Sequence, residues 1–181
     1  DWFDPRGRVH HTGCVYVDGE WLVEARDLAG VMDPAATSPA WFATVDGDSG
    51  RILANLAWFR VGGGDKLAGG EPSFRYGGKP SPCTDGGTCS GHHSHGCWLR
   101  YDAVDFGAGA REMEIRAAAS ASAGDTLIEI RRDDPEGELL GTCMVAPTGD
   151  WQAWQSFRVG IKPTRGRQTL CMVFKAPEVD T

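Results

Sequence analysis

No stretch of the chain is apolar over anything near the ~20 residues that a membrane-spanning helix needs, which argues against membrane insertion. Positive charge is scarce: 18 Lys and Arg stand against 25 Asp and Glu, for a net charge of -7. That balance argues against a nucleic-acid or anionic-membrane partner. Helical periodicity nowhere persists beyond a few turns, and no internal repeat is visible. Familiar catalytic signatures are missing too. There is no nucleophile elbow, phosphate loop or HExxH. Asp46, Asp48, Asp65, Glu71 and Asp85 show no pattern that would pair two of them as a glycosidase acid and base. Structural-zinc spacing of the Cys-x2-Cys kind is absent. No signal peptide is visible, and a chain starting at Asp1 fits one already processed.

What is present reads as one globular domain over residues 1–181, at 41% hydrophobic and 24% charged residues. Strand signals dominate. "WLRYDAVDFG" alternates and stops at Gly107, "EMEIRAAAS" alternates Met113, Ile115 and Ala117, and "TLIEIRR" puts Ile128 and Ile130 on one face. Asp133–Gly137 is turn sequence, and "LLGTCMVAP", "GDWQAWQSFRVGI" and "QTLCMVFKA" follow as further strands. This spacing is that of a β-sandwich. "RILANLAWFRV" fits a strand or a short helix. From Val61 to Cys97 the chain holds 11 glycines in 37 residues and reads as a long irregular insertion, about 61–97.

Within that insertion lies "CTDGGTCSGHHSHGCW", with three cysteines and three histidines in sixteen residues. His93 and His95 are two apart and would share a face of a strand, so they are candidate ligands for Zn or Cu. The competing reading is a loop stapled by a disulfide between two of Cys83, Cys89 and Cys97. The six cysteines, with Cys14, Cys143 and Cys171, are even in number and point to a secreted protein with disulfides. Cys143 and Cys171 sit in apolar strands and either pair with each other or stay as buried thiols.

Four dispersed pieces carry a resemblance. They are "VDFG" (Val104–Gly107), "IEIRRDDPEG" (Ile128–Gly137), "TGDWQAW" (Thr148–Trp154) and "MVFKA" (Met172–Ala176), and "VEARDLAG" (Val23–Gly30) adds a shorter match. In that order they resemble the family 6 carbohydrate-binding modules. The resemblance implies an all-β, jelly-roll β-sandwich of two antiparallel sheets that binds polysaccharide, a β-linked plant or algal glycan, without hydrolysing it. It implies a ligand cleft among the loops at one end, with the concave sheet face used in some members, and a structural calcium near the chain ends.

The family's first tryptophan of "TGGWQTW" stacks on sugar, which makes Trp151 the stacking candidate, with Asp150 beside it. A flat apolar ring matches the C–H face of a pyranose while polar groups take its hydroxyl rim. Trp154, three residues on, falls on the opposite face and is expected in the core or on the sheet face. The family's "GYIDNGDWVSYDNVDFG" corresponds to "GHHSHGCWLRYDAVDFG" here, which places His92 where the second stacking aromatic stands. Trp98 and Tyr101 complete the candidate ligand set. For calcium, Glu24 matches the first glutamate of the family's Glu-Ala-Glu, but the second is Arg26, which cannot ligate a cation. The family's closing "LDWF" strand is missing, yet this chain opens "DWF", so Asp1 is a second calcium candidate. Residues 1–9 are then expected to supply the last strand beside Phe174, in cis or by strand exchange with another copy. Two other functions compete: an extracellular assembly protein that self-associates through its ends, and a metal-dependent polysaccharide-active enzyme using the histidine loop.

Overall fold

The computed structural model describes residues 52–177 in full and, before them, the backbone of three strands. The chain divides into two compact units, residues 1–50 and 51–181. In the first unit β1 (Trp2–Phe3), β2 (Val9–Val17) and β3 (Glu20–Asp27) form an antiparallel sheet in that order. β1 pairs with β2, Trp2 opposite His10 and Phe3 opposite Val9. The expectation that residues 1–9 close the strand of Phe174 is therefore corrected.

The second unit is the sandwich. Its strands are β4 (Asn55–Val61), β5 (Leu67–Ala68), β6 (Phe74–Tyr76), β7 (Lys79–Pro82), β8 (Thr88–Gly91), β9 (Trp98–Asp105), β10 (Ala110–Ala118), β11 (Thr126–Arg132), β12 (Leu139–Val145), β13 (Gln155–Thr164) and β14 (Arg167–Lys175). One sheet runs β13-β10-β4-β8-β7, with β5 on β4, and the other β12-β11-β14-β9-β6. Every strand pair is antiparallel. The segment "RILANLAWFRV" resolves as strand because it is covered by β10 on one side and β8 on the other. β14 has β11 and β9 on its two edges, which leaves no open edge for an added strand.

Alternation places the core. Met113, Ile115 and Ala117 of β10 face Ile128 and Ile130 of β11, Leu99 and Tyr101 of β9, and Leu170, Met172 and Phe174 of β14, all buried in one cluster. Burying each large apolar side chain contributes ~1.5–3 kcal/mol, so this layer is the main stabilising feature of the unit.

The sequence reading of 61–97 as an irregular insertion is corrected: it supplies the short strands β5 to β8, of which β6 and β7 are sheet edges and β8 lies between β4 and β7. Pro80 and Pro82 sit in β7, the last strand of its sheet, where a missing N–H is tolerated.

Candidate functional site

The turn after β12 carries Trp151, and three neighbours fasten it. Ala119, just past β10, accepts hydrogen bonds from the amides of Thr148 (2.9 Å) and Gly149 (3.1 Å), and its own N–H donates to Thr148 Oγ1 (2.9 Å). The Asp150 carboxylate accepts from the Gln152 amide at 3.0 Å and closes the turn. Asn55 Nδ2, from the start of β4, donates to the Trp151 carbonyl at 2.9 Å. The Gln152 side chain reaches the turn between β7 and β8, where its Oε1 accepts from the Thr84 amide (3.0 Å) and its Nε2 donates to the Pro82 carbonyl (3.2 Å). Trp151 is half-buried against the main core, and Asp150 is exposed. A ring held this way loses little freedom on binding a ligand.

Asn55 joins this turn to the histidine segment. It is a buried polar residue, 8% exposed, and its Oδ1 lies close to Gly91, so a Cβ added at Gly91 would stand 2.6 Å from it. His92 follows immediately, exposed and left-handed at φ +56°. Asn55 thus lies between the Trp151 turn and the His92 turn. Sequence reasoning missed it, because a single asparagine inside an apolar strand carries no motif. Gly91→Ala is expected to push Asn55 off the Trp151 carbonyl and weaken ligand binding several-fold, readable as a raised Kd with secondary structure retained. Leaving that buried amide unpaired costs about 1–3 kcal/mol.

The other candidates separate. Tyr101 is a core residue, packed edge-to-face on Phe59 at 4.7 Å, with its hydroxyl donating to the Gly69 carbonyl at 2.7 Å. It is almost wholly buried, at the margin of a cavity toward the Asp105 end of β9, and burial raises its phenol above the usual range. Trp98 and Tyr101 are three apart on β9 and face opposite sides. Trp98 lies on the outer face of its sheet, stacked against Phe74 (5.1 Å) and Tyr76 (6.1 Å) of β6, with its Nε1 buried and unpartnered among the described residues. Phe74 is 36% exposed, and Arg100 lies over its ring at 5.7 Å. Phe74 and Tyr76 also escaped the sequence reading, because β6 was hidden in Gly-rich sequence. Trp154 is buried in a second, smaller cluster with Ala57, Cys89 and Ala118, its Nε1 donating to Thr84 Oγ1 at 2.9 Å.

The transition-metal reading of His93 and His95 is corrected. His93 is fully buried, stacked on Phe174 at 3.8 Å. Its Nδ1–H donates to the Ala54 carbonyl and its Nε2 accepts from the Ser90 hydroxyl, both at 2.8 Å, so neither nitrogen is free for a metal. Burial holds this imidazole down to about 4. His95 Nδ1 accepts from the Ala176 amide at 3.1 Å. His93 and His95 are not successive same-face positions of a strand, because the chain turns at 94–97, with the Cys97 N–H donating to the Ser94 carbonyl at 3.0 Å. Among the described residues no three His, Cys, Asp or Glu side chains are gathered to hold a metal. The Glu24 side chain and Asp1 lie outside the described residues. Cys143 faces the core and Cys171 the outer face of the same sheet, so they remain separate thiols, each pushed by burial up to about 12.

At the far end of β4 and β9 from Asn55 lies a cavity of about 680 Å³, lined among others by Asp65, Glu71, Asp102 and Asp105. Two of these carboxylates have local partners: Asp102 pairs with Arg100 at 3.2 Å, and Asp105 accepts from the Gly107 amide at 2.8 Å.

Residues 75–180 match the profile of the Carbohydrate binding module (family 6). The chain belongs to that family. It is 34% identical over 87 residues to "Endo-1,4-beta-xylanase A" of Thermoclostridium stercorarium, covering 48% of this chain and 16% of that protein. It is 31% identical over 93 residues to "Arabinoxylan arabinofuranohydrolase" of Bacillus subtilis, covering 49% of this chain and 18% of that protein. The chain thus spans less than a fifth of those relatives. Among solved structures, a β-1,3-glucan binding family 6 module of Bacillus halodurans superposes with a TM-score of 0.57 at 31% identity, over 62% of this chain and 84% of that one. A family 6 module of Clostridium cellulolyticum in complex with xylose gives 0.56 at 31% identity, over 68% and 86%. The family makes this a jelly-roll module that binds carbohydrate without catalysing its cleavage. The self-assembling and metal-enzyme readings find no support in the fold or the relatives.

Proposed function

We propose that this module binds a neutral, β-linked plant or algal polysaccharide at the end of the sandwich where Trp151, Asp150 and His92 meet. The observation that carries this reading is the half-buried Trp151, whose turn is pinned by Ala119, Asn55 and Gln152 beside an exposed imidazole. Trp151 takes the C–H face of a pyranose, and His92 and Asp150 take hydroxyls. The net charge of -7 disfavours uronic-acid-rich polymers. An imidazole offers less stacking area than tyrosine, so His92 shifts preference toward hydrogen bonding. The relatives, a xylanase, an arabinoxylan hydrolase and a β-1,3-glucan binding module, support xylan and β-glucan as the first polymers to try. They also support a role as the accessory module of a glycoside hydrolase.

A second subsite is favoured by the outer face of the β9 sheet, where the exposed Phe74 ring stacks on Trp98. Phe74→Ala tests it apart from the Trp151 end.

Affinity electrophoresis in gels containing xylan, β-1,3-glucan, cellulose derivatives or pectin is the direct test. Retardation by a neutral β-glycan supports the reading, and free migration through every gel sinks it. Calcium is proposed on the Glu24 match alone, with Arg26 at the family's second carboxylate position. Adding EDTA is expected to lower the thermal midpoint by several degrees; an unchanged midpoint removes calcium from the account.

A further inference from the structure

Among the described cysteines, Cys83 and Cys89 stand as a pair. They lie at the end of the β7–β8 hairpin, where Ser81 faces Cys89 and Pro82 faces Thr88. Cys83 and Cys89 are therefore diagonal neighbours on one face of the hairpin, two positions offset. The Cys89 thiol donates to the Pro82 carbonyl, next to Cys83, at 3.7 Å. Both pack against Trp154, Ala57 and Ala118. Cys83 is half-exposed and Cys89 is buried. Cys97 is engaged elsewhere, its sulfur accepting from the Ser94 amide at 3.2 Å.

The turn between them is the one that fastens Trp151. Cys83 N–H donates to the Gly87 carbonyl (3.1 Å) and Gly86 N–H to the Cys83 carbonyl (3.0 Å). From this turn Thr84 bonds Gln152 and receives Trp154 Nε1, and Asp85 pairs with Arg116 of β10 at 2.7 Å. The Arg116 guanidinium holds the Asp85 carboxyl below its usual range, so that pair is intact at neutral pH.

We propose that Cys83 and Cys89 are a disulfide-forming pair whose oxidation locks the 83–87 turn against the turn carrying Trp151. The oxidant is a small disulfide such as glutathione disulfide. The Cys83 thiolate, the more accessible of the two, attacks one sulfur of the donor, a mixed disulfide forms and one thiolate leaves. The Cys89 thiolate then attacks the Cys83 sulfur, the protein S–S bond forms and the second donor thiolate leaves. Two protein thiols are oxidised, one donor disulfide is reduced to two thiols, and the two cysteine protons end on the donor. Burial raises both thiols, which makes the exchange slow at neutral pH and faster in mild alkali. The consequence for ligand affinity rests on the glycan reading of Trp151; the disulfide and the lock do not.

The test uses the full chain in glutathione buffers of graded oxidation, read by non-reducing peptide mapping and amide exchange. A single cross-linked peptide joining Cys83 to Cys89, absent in Cys83→Ser, is expected. The Thr84 amide, bonded to Gln152, is expected to exchange about 10-fold more slowly once oxidised. Glutathione adducts without the cross-link, or a cross-link through Cys97, overturn the pair. The cross-link with unchanged Thr84 exchange overturns the lock. Neither readout involves a glycan, so failure of the glycan reading is seen separately, as free migration of both redox forms.

Discussion

Trp151→Ala is expected to abolish retardation of this module by its polysaccharide, raising Kd by at least about 100-fold, or ~3 kcal/mol, the scale of a central aromatic anchor. The variant is a clean probe because the turn is held by backbone atoms of Trp151 and not by its ring. Asn55 donates to the residue 151 carbonyl, and Thr148 and Asp150 close the loop through their own side chains. Alanine keeps all of these. The ring also packs on the core, so a stability loss of about 1–2 kcal/mol accompanies the change. Trp151→Phe keeps a smaller flat face and is expected to recover part of the affinity. Retention of full affinity in Trp151→Ala, with loss in Phe74→Ala, would move the site to the sheet face. Isothermal titration with an oligosaccharide of the best polymer separates these outcomes.

How much of this was legible in the sequence follows from where each residue's constraint comes from. From β9 to β14 each strand carries its own alternation, and Met113, Ile115, Ile128 and Ile130 lie where that pattern puts them. The Trp151 turn was legible because the chemistry of Thr148, Gly149 and Asp150 is local. Residues 61–97 were not, because β6 and β7 owe their extended form to pairing with β9 and β8 and not to their own pattern. A Gly-rich edge strand looks like loop until its partner is known. Tyr101 was misassigned against a signal that was present: it shares parity with buried Leu99, and Trp98 does not. The His93 and His95 pairing failed because the chain turns at 94–97, around Gly96 at φ +86°, so the two residues never share one strand. Asn55 could be found only from the fold, as its partners are 36 and 96 residues away in the chain.

His93 gives the second large effect. Burial between Phe174 and the Ala54 carbonyl lowers this imidazole from 6.5 to about 4, opposed in part by the bond to Ala54, with Arg75 and His92 adding minor repulsion. A base whose folded pKa is depressed favours the neutral folded state. Its contribution is complete above 6.5 and is lost as pH falls from 6.5 through about 4. At ~1.36 kcal/mol per unit, acidification across that window is expected to remove roughly 3 kcal/mol of stability. Asp85 and Glu114, both held low by arginine partners, act in the same direction but only below the ordinary carboxylate range. Among the described groups whose pKa is shifted, His93 is the one that titrates between pH 6.5 and 5. Denaturant titrations at pH 7.5, 6, 5 and 4 are expected to show the wild-type midpoint falling through that stretch. His93→Gln, which cannot titrate, is expected to start lower, since Ser90 and Ala54 lose well-placed partners, and to stay level down to pH 5. A wild-type profile level to pH 5 would mean that the ring is protonated, or exposed, in the folded protein. Because His93 lies next to His92 and accepts from Ser90 of β8, its protonation breaks the support of the binding end first. Glycan affinity is then expected to fall at a pH above the global unfolding midpoint, and the gap between the two curves measures how local that opening is.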